Sequence, residues 1–269
     1  MDAYDLVYNI NHSGYDFLVL KGLSLSQYYP IPEDRSFGDI DIYSFGEHEN
    51  VNDVIRKNGI EIVPDDKHDV FKYEGVTIEH HKTLIGLISK PSNKIEEYLE
   101  SIATKEQCRK TVDGWYIPNK DFEAVFLLRH MSKHFFGEGL SLKQVLDWGM
   151  FLHSTKLEDL HIRKIIEESR MQNAWNTFTA VAGKVLGLDF SSYFIGTSEV
   201  SLVNQVMDCI ICYRPEEEHQ AGLIKRFLIK TRRLFATKWM FDTGLLPDSF
   251  WHDIVWISLR DHLRRPSFV

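Results

Sequence analysis

Three cysteines in 269 residues are too few for a disulfide scaffold. Cys209 and Cys212 have C-x-x-C spacing, but no second pair stands near them, and they lie in an apolar stretch from Leu202 to Tyr213. They are expected as small hydrophobes on a helix rather than as a zinc or redox centre. No apolar run reaches the length of a membrane span. The N-terminus, Met1-Asp2-Ala3-Tyr4-Asp5, is acidic and lacks the pattern of a signal peptide, so a cytoplasmic chain with no membrane span is expected. An excess of basic residues is also missing. Lys and Arg number 31 against 39 Asp and Glu, a net charge of −8, so the chain as a whole is not built to coat nucleic acid. No repeat at a fixed period is present. What is present is a 43% hydrophobic, aromatic-rich composition that excludes disorder and can bury the core of one large or two modest domains.

The first third reads as α/β. The run from Tyr15 to Leu20 is a strand candidate that stops at Lys21-Gly22, and Ser24 to Tyr29 fits a short helix closed by Pro30-Ile31-Pro32. Ile40 to Phe45 alternates as a strand, and Glu47 to Gly59 is helical with Val51, Val54 and Ile55 on one side. Further strands are expected at Ile60 to Val63, Val70 to Tyr73 and Val76 to His80, with Glu74-Gly75 as a hairpin turn. After Trp115-Tyr116-Ile117-Pro118 helical periodicity takes over. Helices are expected over Asp121–Phe135, Ser141–His153, Leu157–Ser169, Gln172–Leu186, Val200–Tyr213, Gln220–Thr237 and Pro247–Leu263. The expected fold class is thus α/β (α+β): a mixed sheet with flanking helices over residues 1–117, followed by an all-helical unit over 118–269.

The chemistry-bearing segment is Gly38-Asp39-Ile40-Asp41-Ile42. A strand sends alternate side chains to opposite faces, so both isoleucines go one way and both carboxylates the other. Two like charges so close repel unless a cation or a basic side chain compensates. Magnesium suits the task, since it takes oxygen ligands and binds one or two carboxylates together with substrate phosphates. Two such ions about 3.5–4 Å apart clamp an in-line displacement at phosphorus. A third carboxylate from a later strand is offered by Glu79, which shares its face with Thr77 and His81 while Val76 and Ile78 take the other. Glu79-His80-His81 can also be read as a metal cluster; the preferred reading puts His80 in the core. Upstream, Lys21-Gly22-Leu23-Ser24 ends a strand and opens a helix, where backbone N–H groups favour a phosphate. Gly22 permits close backbone approach, Lys21 brings a charge, Ser24 a hydroxyl, and Arg35 a planar cationic fork.

Leu20-Lys21-Gly22 through Tyr28-Tyr29-Pro30, then Arg35 and Asp39-Ile40-Asp41, resembles the uncharacterised nucleotidyltransferase family of bacteria. The resemblance continues through Val76-Thr77-Ile78-Glu79-His80, the helix segment Leu127 to Phe135 and the stretch Leu142 to Trp148, covering roughly residues 15 to 155. It implies a polymerase-beta-like nucleotidyltransferase fold. It also implies that Asp39 and Asp41 bind metal with Glu79 as third acid, and that Lys21-Gly22 faces the phosphates. More distantly the chain is similar to toxin-type nucleotidyltransferases, which use a lysine and an aspartate from the helical part; Lys133 and Asp147 match. The resemblance also draws His130 and His134, at i, i+4 beside Arg129 and Lys133, toward the cleft. In one respect the chain departs from the family: most established members carry Gly followed directly by Ser or Gly, whereas here Leu23 intervenes before Ser24.

The expected activity is transfer of NMP from an NTP, ATP among the candidates, to an unidentified acceptor with Mg2+ or Mn2+. Two rival readings stand beside it: a catalytically inactive nucleotide- or ligand-binding module on the same fold, and a toxin-like enzyme that modifies tRNA. A basic stretch, Lys225, Arg226, Lys230, Arg232, Arg233 and Lys238 with Arg260, Arg264 and Arg265, either meets RNA or an acidic acceptor, packs on the acidic remainder of the chain, or lies against a membrane surface.

Overall fold

In the computed structural model, short segments between residues 18 and 117 pair into a sheet of seven strands among the described residues. The structure describes residues 3–36, 38–65, 67–85, 89–137, 139–197, 199–212, 231–232 and 234–256. The strands are β1 (Leu18–Val19), β2 (Ile40–Tyr43), β3 (Ile62–Val63), β4 (His68–Tyr73), β5 (Val76–His81), β6 (Arg109–Lys110) and β7 (Tyr116–Ile117), in the order β3-β4-β5-β2-β1-β7-β6. Two pairs are parallel, β2 with β5 and β1 with β7, and the others antiparallel, so the sheet is mixed. Helices α1 (Ala3–His12), α2 (His48–Lys57) and α3 (Lys90–Ile102) flank the strands in sequence. The helices that follow are α4 (Lys120–Gly137), α5 (Leu142–Ser154), α6 (Arg163–Glu168), α7 (Gln172–Leu186), α8 (Val200–Cys212) and the short α9 (Lys238–Asp242). The expected mixed sheet with flanking helices and a helical C-terminal part is therefore observed.

Two compact units contain these elements. The first comprises the described residues of Met1–Leu87, Ile95–Leu127 and Met150–Ile162, the second those of Ile88–Lys94, Leu128–Gly149 and Arg163–Val269. In the first, α2 lays Val51, Val54 and Ile55 against Phe17, Val19, Ile42, Phe71 and Ile78. Burial of each such side chain contributes roughly 1.5–3 kcal/mol. The β4–β5 hairpin turns at Glu74 and Gly75, both at positive φ (50° and 81°), which matches the twist of the two strands. In the second unit, Trp148 meets Trp175 edge-on at 5.1 Å and Phe135 meets Phe178 and Trp239. Helix α7 ends at Gly187 in the left-handed conformation, φ 68°.

Several boundaries differ from the sequence expectation. The strand expected over Tyr15–Leu20 pairs only at Leu18–Val19, and Ser24–Tyr29 belongs to a 3-10 helix, Gly22–Tyr28. The helix expected over Leu157–Ser169 is broken, leaving a 3-10 turn at Leu157–Asp159 and then α6. Tertiary bonds cause the break: Lys120 grips Asp159 at 2.7 Å and the His161 N–H donates to Asp121 at 3.0 Å. Residues 250–256 wind as a π-helix, Phe250–Trp256. Helices α1 and α3 and strands β6 and β7 are not foreshadowed by the sequence reading; β6 and β7 are two residues each and exist by pairing with their neighbours. Most of the helix expected over Gln220–Thr237 lies outside the described residues, as do Lys225, Arg226, Lys230, Arg233, Arg260, Arg264 and Arg265. Cys108 is buried and Cys209, on α8, half-buried, both as free thiols. Among the described residues no helix is long and apolar enough to cross a membrane.

One buried pair in the first unit ties the 3-10 helix to α4. The Tyr28 hydroxyl donates to the Glu123 carboxyl, which is fully buried. Burial pushes the Glu123 carboxyl up to about 8 against the opposing influence of Tyr28, Arg109 and Lys120. The fold therefore binds a proton that the unfolded chain, with an ordinary carboxyl near 4.5, gives up. This contribution to stability is full below pH 4.5 and is lost as pH rises to about 8. Glu123→Gln, which keeps an acceptor for Tyr28, is expected to flatten that decline. Urea unfolding should show the variant a few kcal/mol less pH-sensitive than the parent between pH 5 and 9.

Candidate active site

Register across β2 and β5 assembles the acidic centre. The parallel pairing sets Ile40 beside Ile78, Asp41 beside Glu79 and Ile42 beside His80. Asp41 and Glu79 therefore emerge side by side on one face while Ile42, Ile78 and His80 go to the other. His80 is fully buried and its ring bonds Ser44 Oγ and Asn52 Oδ1, each at 2.8 Å. Burial lowers the His80 ring to about 3, so it serves as a neutral core strut, as the sequence reading prefers.

Asp41 is 0% exposed. Its Oδ1 lies 3.0 Å from Lys21 Nζ and 3.0 Å from His81 Nε2. Burial alone pushes this carboxyl up; the contacts with His81 and Lys21 reverse the effect and bring it down to about 2. Its second oxygen, Oδ2, is buried without a hydrogen-bond partner among the described residues. An ionised carboxylate with one buried, unsatisfied oxygen is expensive unless a cation meets it. The donor set thus fits a hard cation. Burial, with the negative charge of Asp41 beside it, holds the Glu79 carboxyl above the usual range. Asp39 sits just before β2 and is exposed.

The Lys21-Gly22 turn feeds this centre. Gly22 has φ 68°, a conformation that glycine adopts without the Cβ clash of other residues. It lets the chain leave β1 and place Lys21 over Asp41. Arg35 is buried and its guanidinium donates to the Gly22 carbonyl at 2.6 Å, so it braces the turn. Ser24 is buried in the 3-10 helix, and its hydroxyl has no partner among the described residues.

Asp41, Glu79, Lys21, Gly22 and Arg35 are thus neighbours in the first unit. His130, Lys133, His134 and Asp147 belong to the second, on α4 and α5. The His130 and His134 rings lie 4.2 Å apart, and Asp147 is buried. Arg129 on the same helix is committed inward, pairing with Asp248 at 2.9 Å and Ser92 at 3.0 Å. The sequence reading missed His68, which the β4–β5 pairing sets directly opposite His81. Its signal was the strand start: beginning β4 two residues before Val70 would have placed it there.

Comparison with curated proteins finds no match to this chain. Among solved structures, the antibiotic-resistance factor ANT(2'')-Ia is similar with a TM-score of 0.43 at 10% identity, over 62% of this chain and 90% of that one. A tRNA nucleotidyltransferase, solved with a primer tRNA and an incoming ATP analog, is similar with a TM-score of 0.31 at 13% identity, over 89% of this chain and 72% of that one. The sequence pattern of a family described as uncharacterised nucleotidyltransferase matches residues 4–187. That span takes in the Lys21-Gly22 turn, the acidic strand, Glu79 and helices α4 and α5, and the chain belongs to this nucleotidyltransferase family.

Proposed function

We propose that this protein transfers NMP from an NTP to an acceptor hydroxyl or phosphate in a magnesium-dependent reaction centred on Asp41. The observation that carries the reading is the buried Asp41 carboxylate, positioned through one oxygen by Lys21 and His81 and unsatisfied at the other. Asp39, Asp41 and Glu79 would hold the metal, which when bound polarises the phosphates and lowers the pKa of the attacking oxygen. Glu79, whose carboxyl is held above the usual range, accepts the proton of the acceptor hydroxyl as that oxygen bonds the α-phosphorus and pyrophosphate leaves. Lys21 counters the charge that develops on the phosphates, and Gly22, Ser24 and Arg35 shape the turn that presents it. On the family resemblance, Lys133 and Asp147, with His130 and His134, are further proposed substrate residues. The division into a nucleotidyltransferase-like 1–117 and a helical 118–269 belongs to the same proposal; its support is that all seven strands lie before residue 118.

The test is transfer of label from each α-labelled NTP with magnesium, offered bulk RNA, tRNA and protein acceptors in separate reactions. An RNA acceptor would draw on the basic C-terminal stretch. Label is expected in one acceptor class and absent with Asp39→Ala/Asp41→Ala. Equal incorporation by that double variant overturns the assignment.

A further inference from the structure

The β4–β5 hairpin carries a second cluster beside the acidic centre. Antiparallel pairing sets His68 across from His81 and Val70 across from Glu79. Glu79 and His81, two residues apart on β5, share a face, and His68 joins them from β4. One ligand atom from each of the three lies within 4.8 Å of the others. His68 Nε2 is 3.7 Å from Glu79 Oε1, and His81 Nε2 is 3.9 Å from Glu79 Oε2. These separations are too long for hydrogen bonds. They are close to the roughly 3.4 Å between neighbouring ligands of a tetrahedral ion bound at about 2.1 Å. The side chains are 23%, 25% and 14% exposed for His68, Glu79 and His81, so the cluster is sheltered yet open to entering ions.

The His81 ring supplies an independent argument. Its Nδ1 lies 3.3 Å from the Thr83 carbonyl. Its Nε2 lies 3.0 Å from an Asp41 oxygen, on the side where the cluster opens toward the acidic centre. A carbonyl behind the ring is the usual support of a metal-binding imidazole.

We infer that His68, Glu79 and His81 form a binding site for a divalent transition cation of the zinc class, next to the magnesium carboxylates and distinct from them in donor type. Two imidazoles and one carboxylate favour zinc or cobalt over magnesium, which prefers oxygen and keeps its waters. A fourth position stays open to water or substrate. Glu79 is shared with the proposed transfer site, so occupancy here sets how that carboxylate is available. The neighbouring group of His48, Glu49 and Asp69 is a weaker candidate, because Asp69 is already bound by Lys82 and Asn52, both at 2.7 Å.

The experiment is a cobalt titration of untagged, chelator-treated full-length protein without nucleotide, read by visible d–d absorption and by zinc displacement. One equivalent is expected to bind with the intense bands of a four-coordinate ion. His68→Ala should weaken it at least about 100-fold, the loss of a ligand exceeding that of an outer-shell partner, while Asp53→Asn, at an exposed carboxylate of α2 outside both groups, should bind cobalt as the parent does. X-ray absorption of the zinc-loaded parent should show two imidazoles. Should His68→Ala fail to fold by circular dichroism, His68→Gln and the absorption spectrum decide. An all-oxygen shell, no cobalt binding, or equal affinity in parent and His68 variant overturns the site. Because nucleotide is absent, this outcome is independent of whether NMP transfer is found.

Discussion

Asp41→Asn is expected to lower NMP transfer by about 10³-fold or more, equivalent to about 4 kcal/mol of transition-state stabilisation. The substitution is nearly isosteric, so it isolates charge from packing. An amide keeps one oxygen but loses the negative charge that Lys21 and His81 hold in place at 3.0 Å. It also exchanges the unsatisfied Oδ2 for a nitrogen donor that repels a cation. The effect should fall on turnover rather than on NTP affinity alone, because the proposed metal would act on charge that grows in the transition state. Steady-state kinetics with the labelled NTP, beside a thermal melt of the same sample, separate this from unfolding. A folded Asp41→Asn variant with parental turnover would remove Asp41 from the chemistry.

The largest stability effect is expected at the other buried ion pair. Arg129 on α4 and Asp248 are each 2% exposed and 2.9 Å apart, and Asp248 also accepts from Ser92 at 2.7 Å and from Ser89. Removing one partner of such a pair leaves a charge in a medium that does not solvate it, costing about 3–5 kcal/mol. Asp248→Ala should therefore destabilise strongly, since the Arg129 guanidinium already has two nitrogens without partners among the described residues. Replacing both, Arg129→Met with Asp248→Leu, should recover most of the loss because no charge remains to be satisfied. Urea unfolding of the three proteins measures this. Equal stability of Asp248→Ala and the parent would contradict it.

Much of the centre was legible in the sequence because strand periodicity is local. Asp39-Ile40-Asp41-Ile42 and Val76-Thr77-Ile78-Glu79 each declare which residues share a face. Alternation does not say which strands are neighbours. Parallel pairing of β2 with β5 puts Asp41 beside Glu79 across 38 positions of chain, and no short-range signal encodes that register. The same holds for Arg35, whose type suggests a phosphate ligand and whose burial and bond to the Gly22 carbonyl no short-range signal encodes. The longer helices were read nearly to their ends, α7 at Gln172–Leu186 as expected, because their apolar faces repeat over several turns. The two-residue strands β6 and β7 have too few positions to show any period.

By itself, then, the sequence determined the class of fold and the acidic strand, since each depends on residue type and near-neighbour spacing. Only the tertiary structure decided that Lys21 and His81 pin one oxygen of Asp41 and leave the other unsatisfied, and that His68 arrives opposite His81. Those facts rest on strand register and burial, which are set by how the whole sheet packs rather than by any segment within it.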